Sequence, residues 1–177
     1  MLILEGSDCL GKTTFAELLL KEADSRKVYP TYYSHMSRPN CTFNFCSDYK
    51  DMMSTYAIQD RFHLGGIVWH NAISKQELNA IELWLKNKSS MVVVLYASDH
   101  DWYRDRIEKD NRGNMLPIYA MCAANKEYEL MAKSEHDMNP LIDLSWDITP
   151  NKLATPNYPD ELYTKNIIDM WFKKFNY

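Results

Sequence analysis

No Cys-x-x-Cys pair occurs among the four cysteines, and Cys9, Cys41, Cys46 and Cys122 make no zinc-like spacing with the five histidines. Neither a metal knuckle nor a disulfide framework is indicated, and a reducing, cytoplasmic setting is the simplest expectation. An excess of basic residues is missing too. Lys and Arg number 20 against 24 Asp and Glu, giving a net charge of −4 and a pI near 5.7, which argues against gripping nucleic acid by broad phosphate neutralisation. A small anionic substrate in a local basic cleft fits this balance better. The longest apolar runs stop far short of a membrane span, and no basic segment leads into an apolar run with a cleavage site; a soluble, unprocessed chain with no membrane partner is expected. Repeats and low-complexity tracts are also lacking. What is present is 177 residues, 46% apolar and 13% aromatic, enough to bury a core and in the size range of one domain, 1–177.

Strand and helix patterns alternate along the chain. Residues 1–4 form a short apolar run ending at Glu5 before a glycine-containing turn, which reads as a buried parallel strand. From Lys12 the apolar positions Phe15, Ala16, Leu18, Leu19 and Leu20 keep helical spacing that fades over 23–27. Residues 28–36, with Tyr29, Thr31, Tyr32 and Tyr33 and closed by Arg38-Pro39, read as a second strand. A short helix is expected over 49–54, and 55–59 read as a third strand delivering Asp60-Arg61 at its carboxyl end. Leu78, Ile81, Trp84 and Leu85 place a helix over 74–87, and Met91-Val92-Val93-Val94-Leu95-Tyr96-Ala97 is a buried strand. Residues 101–109 and 117–133 look helical, with charged, glycine-containing 110–115 between them as an exposed loop; a last strand is expected over 141–148 and an amphipathic helix over 160–175, with Ile167, Ile168, Trp171 and Phe175 on one face. Five strands alternating with helices predict a parallel sheet covered on both faces, a three-layer α/β/α domain.

Gly6-Ser7-Asp8-Cys9-Leu10-Gly11-Lys12-Thr13 fits G-x-x-x-x-G-K-[ST], directly after a strand and opening a helix. The four fixed positions would coincide by chance in roughly one chain in a hundred or fewer, so the match together with its context carries weight. Glycines let successive N–H groups curl toward one concavity, where the helix N-terminus favours a phosphate. Lys12 would reach the β- and γ-phosphates of ATP and Thr13 would ligate Mg²⁺, with Gly6, Cys9, Leu10, Gly11 and Thr14 completing the loop around the nucleotide.

With Leu4-Glu5-Gly6-x-Asp8-x-x-Gly11-Lys12-Thr13-Thr14 the opening resembles that of thymidylate kinases, and Asp60-Arg61-Phe62 is similar to that family's Asp-Arg-Tyr at the end of the third strand. The resemblance implies a P-loop kinase fold with a helical lid over about 104–116 that uses ATP and Mg²⁺ to phosphorylate dTMP or a related pyrimidine deoxynucleotide. It assigns Asp8 to the acceptor's 3′-hydroxyl. Asp60 could hold Mg²⁺ through water and Arg61 could take the acceptor phosphate bidentately. Phe62 and Trp69, with Gly65-Gly66, keep the small and aromatic character of the segment that flanks the acceptor base. Ser37-Arg38-Pro39 is a loose counterpart of the family's phosphate-contacting segment after the second strand, which assigns Arg38 to the acceptor. Cys9, where some members carry an arginine, aligns the chain with members whose arginines lie in the lid; Arg104, Arg106 and Arg112 are the residues in place. Arg104 and Arg106 lie two apart and cannot share one helix face. Compactness and these departures are compatible with a viral origin, and a homodimer is a further expectation, since family members are often dimers.

Two rival readings stay open at this level. A kinase acting on a hydroxyl, of a deoxynucleoside or of a hydroxymethylated base in DNA, would call for a general base, for which Asp8, Asp60 or Glu5 could serve. A non-catalytic or slowly hydrolysing nucleotide-binding module is the other. A guanine-reading Asn-Lys-x-Asp motif is missing; Asn125-Lys126-Glu127 is the nearest approach.

Overall fold

The computed structural model describes residues 1–33, 57–70, 73–88, 90–110, 116–149 and 161–175. The expected helix over 49–54, the end of the second strand and most of the loop over 110–115 fall outside them, as do Arg38 and Arg112. Among the described residues the chain forms β1 (Leu2–Gly6), α1 (Lys12–Ser25), β2 (Thr31–Tyr33), β3 (Ala57–Asp60) and α2 (His63–His70). There follow α3 (Lys75–Asn87), β4 (Met91–Tyr96), α4 (His100–Glu108), α5 (Ile118–Ala132), β5 (Leu144–Asp147) and α6 (Glu161–Phe175).

All strand pairings are parallel, in the order β2-β3-β1-β4-β5. Alternation along each strand explains the layering, because successive side chains leave opposite faces of a sheet. Leu2 and Leu4 of β1, with Val93 and Leu95 of β4, pack against Phe15 and Leu19 of α1, Tyr103 of α4, and Ile167 and Trp171 of α6. Ile3, Val92 and Val94 point the other way, onto Leu64 and Ile67 of α2, Leu78, Ile81 and Leu85 of α3, and Tyr128 of α5. A sheet so covered on both faces must be apolar on both faces, which is why 91–97 is an unbroken hydrophobic run.

Local chemistry sets the ends of the elements. Ser74 accepts from the Glu77 amide while the Glu77 side chain accepts from Ser74 N–H, a capping box that starts α3 one residue later than the apolar spacing alone implies. Pro117 occupies the N-cap of α5 in extended conformation. The helix α2 was not delimited by spacing: its neighbouring glycines Gly65 and Gly66 lower helical propensity and its other positions are apolar nearly all round, leaving no period to read.

This topology places the site. The chain leaves β1 for α1 on one face of the sheet, and leaves the adjacent β3 for α2 on the other. Neighbouring strands whose connections part to opposite faces leave a crevice at their carboxyl ends, where open α/β sheets bind ligands. Residues 6–11 and Asp60-Arg61 lie at that crevice.

Candidate functional site

The loop after β1 is held in a conformation few residues tolerate. Gly6 has φ of 144°, and a Cβ there would meet the Leu95 carbonyl oxygen at 2.5 Å, so only glycine lets β4 approach this closely. Gly11 is left-handed, with φ of 80°, and serves as the N-cap of α1 without a side-chain cap, leaving first-turn amides for another acceptor. Cys9 is also left-handed, with φ of 59°, a costly conformation for a residue with a Cβ that persists only where surroundings enforce it.

Those surroundings are visible. Arg106 donates from Nε to the Cys9 carbonyl at 2.6 Å, and the Cys9 thiol donates to Asp110 at 3.0 Å. The Tyr103 hydroxyl lies 2.8 Å from Ser7 Oγ and 2.7 Å from the Asp8 carbonyl, its one proton serving both acceptors. Burial raises this phenol well above its ordinary range, so it stays a donor. Ser7 in turn donates to the Met121 carbonyl at 3.0 Å. The loop is therefore pinned from α4 and α5 by groups that the loop motif does not contain.

Lys12 is buried and donates from Nζ to the Ser7 carbonyl at 2.6 Å. Burial lowers its pKa, while Asp60 and Glu5 pull it back up. Asp60 lies across from Leu4 in the β1–β3 ladder and is itself buried; one of its oxygens receives the Tyr32 hydroxyl at 3.4 Å, the other has no partner. The Tyr32 hydroxyl also lies within reach of the Thr13 side chain, so one hydroxyl neighbours both oxygen groups expected to attend a metal. Thr13 and Thr14 are exposed. Among the described residues no three His, Cys, Asp or Glu side chains cluster as a ready metal cage.

Arg61 continues the sheet by donating its amide to the Leu4 carbonyl at 2.8 Å, then turns with φ of 67°. Its guanidinium makes an ion pair with Asp8 of the loop and stands over the Trp69 ring, 5.2 Å from its centroid. Its Nε is buried without a partner. The structure thus joins Asp8, Arg61 and Trp69, three of the residues singled out for the acceptor, in one stack. Phe62 is different. Its ring is wholly buried in the core under α2 and α3, so it offers no face to a ligand, and its amide donates to Glu5. Leu10 likewise packs in the core beneath the loop, leaving only its backbone for phosphate. Arg104 and Arg106 diverge as their spacing requires: Arg104 is exposed, whereas Arg106 sits over Trp102 and holds the loop.

Glu5 is not placed to serve as a base. It is fully buried, accepts the Phe62 and Leu64 amides at 2.9 Å each and the Tyr128 hydroxyl at 3.2 Å. Burial pushes its pKa up to about 7 against the pull of those bonds. Next to it in the fold, His63 is buried with both ring nitrogens unpartnered, and desolvation lowers its pKa to about 3, so it is neutral. Asn125 is spent on both sides of Ala97, accepting its amide at 2.9 Å and donating to its carbonyl at 2.8 Å; it fixes the end of β4 and reads no base.

Among the described residues, two cavities flank the crevice. One of about 370 Å³ opens beside the loop among Cys9, Trp102, Arg106 and Lys109. The other, about 950 Å³, runs between α2 and α5, with Trp69, Ile73, Tyr119 and Ala123 in its lining. Trp69 separates it from Arg61. Among the described residues no helix is long and apolar enough to cross a membrane. Comparison with protein-family models finds no match, nor does comparison with curated proteins, so the functional argument rests on this geometry.

Proposed function

We propose that this chain is an ATP-dependent nucleoside monophosphate kinase of the thymidylate kinase type, transferring the γ-phosphoryl group of ATP to a pyrimidine deoxynucleoside monophosphate. The observation that carries the reading is the meeting of two segments 53 residues apart: Asp8 of the glycine-bounded loop pairs with Arg61, while Lys12 and Asp60 interact beside them. Phosphoryl transfer asks a protein mainly for positioning and for charge stabilisation, and this crevice gathers a lysine, an arginine with an unused donor, and uncapped helix amides.

In this reading the β- and γ-phosphates sit at the N-terminus of α1, where Lys12 exchanges the Ser7 carbonyl for phosphate oxygen. The donor's nucleoside extends into the cavity beside Trp102 and Arg106. The acceptor's phosphate takes Arg61, and its nucleoside lies along Trp69 toward the larger cavity, whose volume falls in the range of small-molecule sites. Thr13 and Asp60 fit Mg²⁺: both are hard oxygen donors brought to one hydroxyl, and a buried Asp60 oxygen lacks a partner. Two protein oxygens suffice, because Mg²⁺ at such sites takes its remaining ligands from water and phosphates. When bound, the ion neutralises charge on the transferred group. An acceptor that is already an anion needs no base, which agrees with the engagement of Glu5 in backbone hydrogen bonds.

The test is ADP release from ATP·Mg²⁺ with dTMP, dUMP, 5-hydroxymethyl-dUMP, dCMP, dGMP, thymidine and a hydroxymethylated duplex. The expected result is turnover with one pyrimidine monophosphate, lowered in Lys12→Ala by about two orders of magnitude or more. Turnover confined to thymidine or the duplex would instead assign a hydroxyl acceptor. ATP binding without acceptor-dependent turnover would leave a binding module.

A further inference from the structure

The arginine arm of the site has a support that neither the loop motif nor Asp60-Arg61 contains. Glu5 is the residue immediately before Gly6, on a strand hydrogen-bonded on both sides, to β3 and β4. Its side chain crosses to the opposite segment and takes the amides of Phe62 and Leu64, both at 2.9 Å. These are orphan donors at the start of α2, the kind a helix normally satisfies with a capping residue of its own chain segment. Here the cap comes from 57 to 59 residues earlier in the sequence. The second Glu5 oxygen receives Tyr128 from α5 at 3.2 Å, so the carboxylate cannot move without releasing a second helix.

The consequence falls on Arg61. It lies between a strand tied to β1, through its own amide on the Leu4 carbonyl, and a helix tied to β1 through Glu5. Its guanidinium is gripped on one side by Asp8, three residues past Glu5, and on the other by Trp69, seven residues past Phe62 on the helix that Glu5 caps. Both jaws of that grip are therefore referenced to one residue. We propose that Glu5 is a positioning residue: by capping α2 from β1 it sets the distance between the phosphate loop and Arg61, and so controls productive binding of the acceptor's phosphate. This rests on the kinase reading above for its substrate, though not for its geometry.

The experiment compares Glu5→Gln, Glu5→Asp and Glu5→Ala in the full chain. Glutamine keeps a carbonyl oxygen at the same reach, aspartate keeps the charge and shortens the reach, and alanine keeps neither. Melting temperature, binding of ATP·Mg²⁺ by calorimetry, KM and kcat with the pyrimidine monophosphate that wild type turns over, and amide exchange at 62–65 are measured below the melting point of each variant. The expected pattern is near-normal acceptor KM in Glu5→Gln, a rise of about tenfold or more in Glu5→Asp and Glu5→Ala, faster exchange at 62–65 in those two, and ATP binding altered far less than the acceptor KM. An acceptor KM unmoved in both short variants overturns the proposal, as does a Glu5→Gln enzyme as impaired as Glu5→Ala, since that would make the charge the requirement. Should wild type show no turnover with any of the pyrimidine monophosphates, the kinase reading fails separately; the exchange data still decide whether Glu5 fixes the start of α2, and unchanged exchange in Glu5→Asp overturns that as well. If Glu5→Ala does not fold, Glu5→Asp against Glu5→Gln carries the comparison alone.

Discussion

At Gly6 the backbone decides the chemistry. A methyl group there would have to displace the Leu95 carbonyl and hold a φ that L-residues avoid, and both costs fall on the strand that carries the loop. Gly6→Ala is expected to destabilise the fold by about 3 kcal/mol or more, read as a drop in the urea midpoint. His63 makes a different prediction. Its pKa is lowered to about 3 in the fold, from 6.5 when free. Between those values the unfolded chain binds a proton that the folded chain refuses, so the stability His63 confers is whole above pH 6.5 and is lost as pH falls. Glu5 acts in the opposite sense, its raised pKa of about 7 removing stability as pH rises from the ordinary carboxylate range. Comparing wild type with His63→Leu isolates the histidine: wild type should lose stability relative to the variant by several kcal/mol between about pH 7 and pH 3. Parallel curves in urea titrations across that range would contradict the assignment.

At the scale of elements, the loop after β1 depends on α4 more than its motif indicates. Tyr103 and Arg106 lie one turn apart on α4 and hold the Ser7, Asp8 and Cys9 segment from one side. Tyr103→Phe keeps the ring in the core and removes only the hydroxyl. It should cost about 1 kcal/mol of stability and raise the KM for ATP severalfold, as seen in a thermal melt and in initial rates at varied ATP. The elements themselves were mostly legible. Runs of apolar residues announced β1 and β4, and three- and four-residue spacing announced α1, α3 and α6, because those patterns are local. The helix α2 has no period to read, and the contacts of Ser7, Tyr103, Glu5 and Tyr128 leave no local signal, because each joins partners 57 to 123 residues apart. Ser7 occupies a position where the loop motif accepts any residue, so nothing in the spacing marks it.

For the whole molecule, the parallel sheet and its parting connections explain why two short segments remote in sequence share one crevice. Sequence alone gave Lys12, Thr13, Asp60 and Arg61 through their motifs, and the fold adds what the motifs cannot: the ion pair between Asp8 and Arg61, the Tyr32 hydroxyl between Thr13 and Asp60, and the placement of the Phe62 ring inside rather than at the site. The proposed reaction moves a phosphoryl group between two nucleotides in this crevice. The most direct measurement is transfer from γ-labelled ATP·Mg²⁺ in the presence of dTMP, dUMP, 5-hydroxymethyl-dUMP or dCMP, with nucleotides separated after a single incubation and Lys12→Ala run beside wild type. Label is expected in a deoxynucleoside diphosphate with wild type and almost none with the variant. Label appearing only as free phosphate, or at equal rates in both proteins, would contradict it.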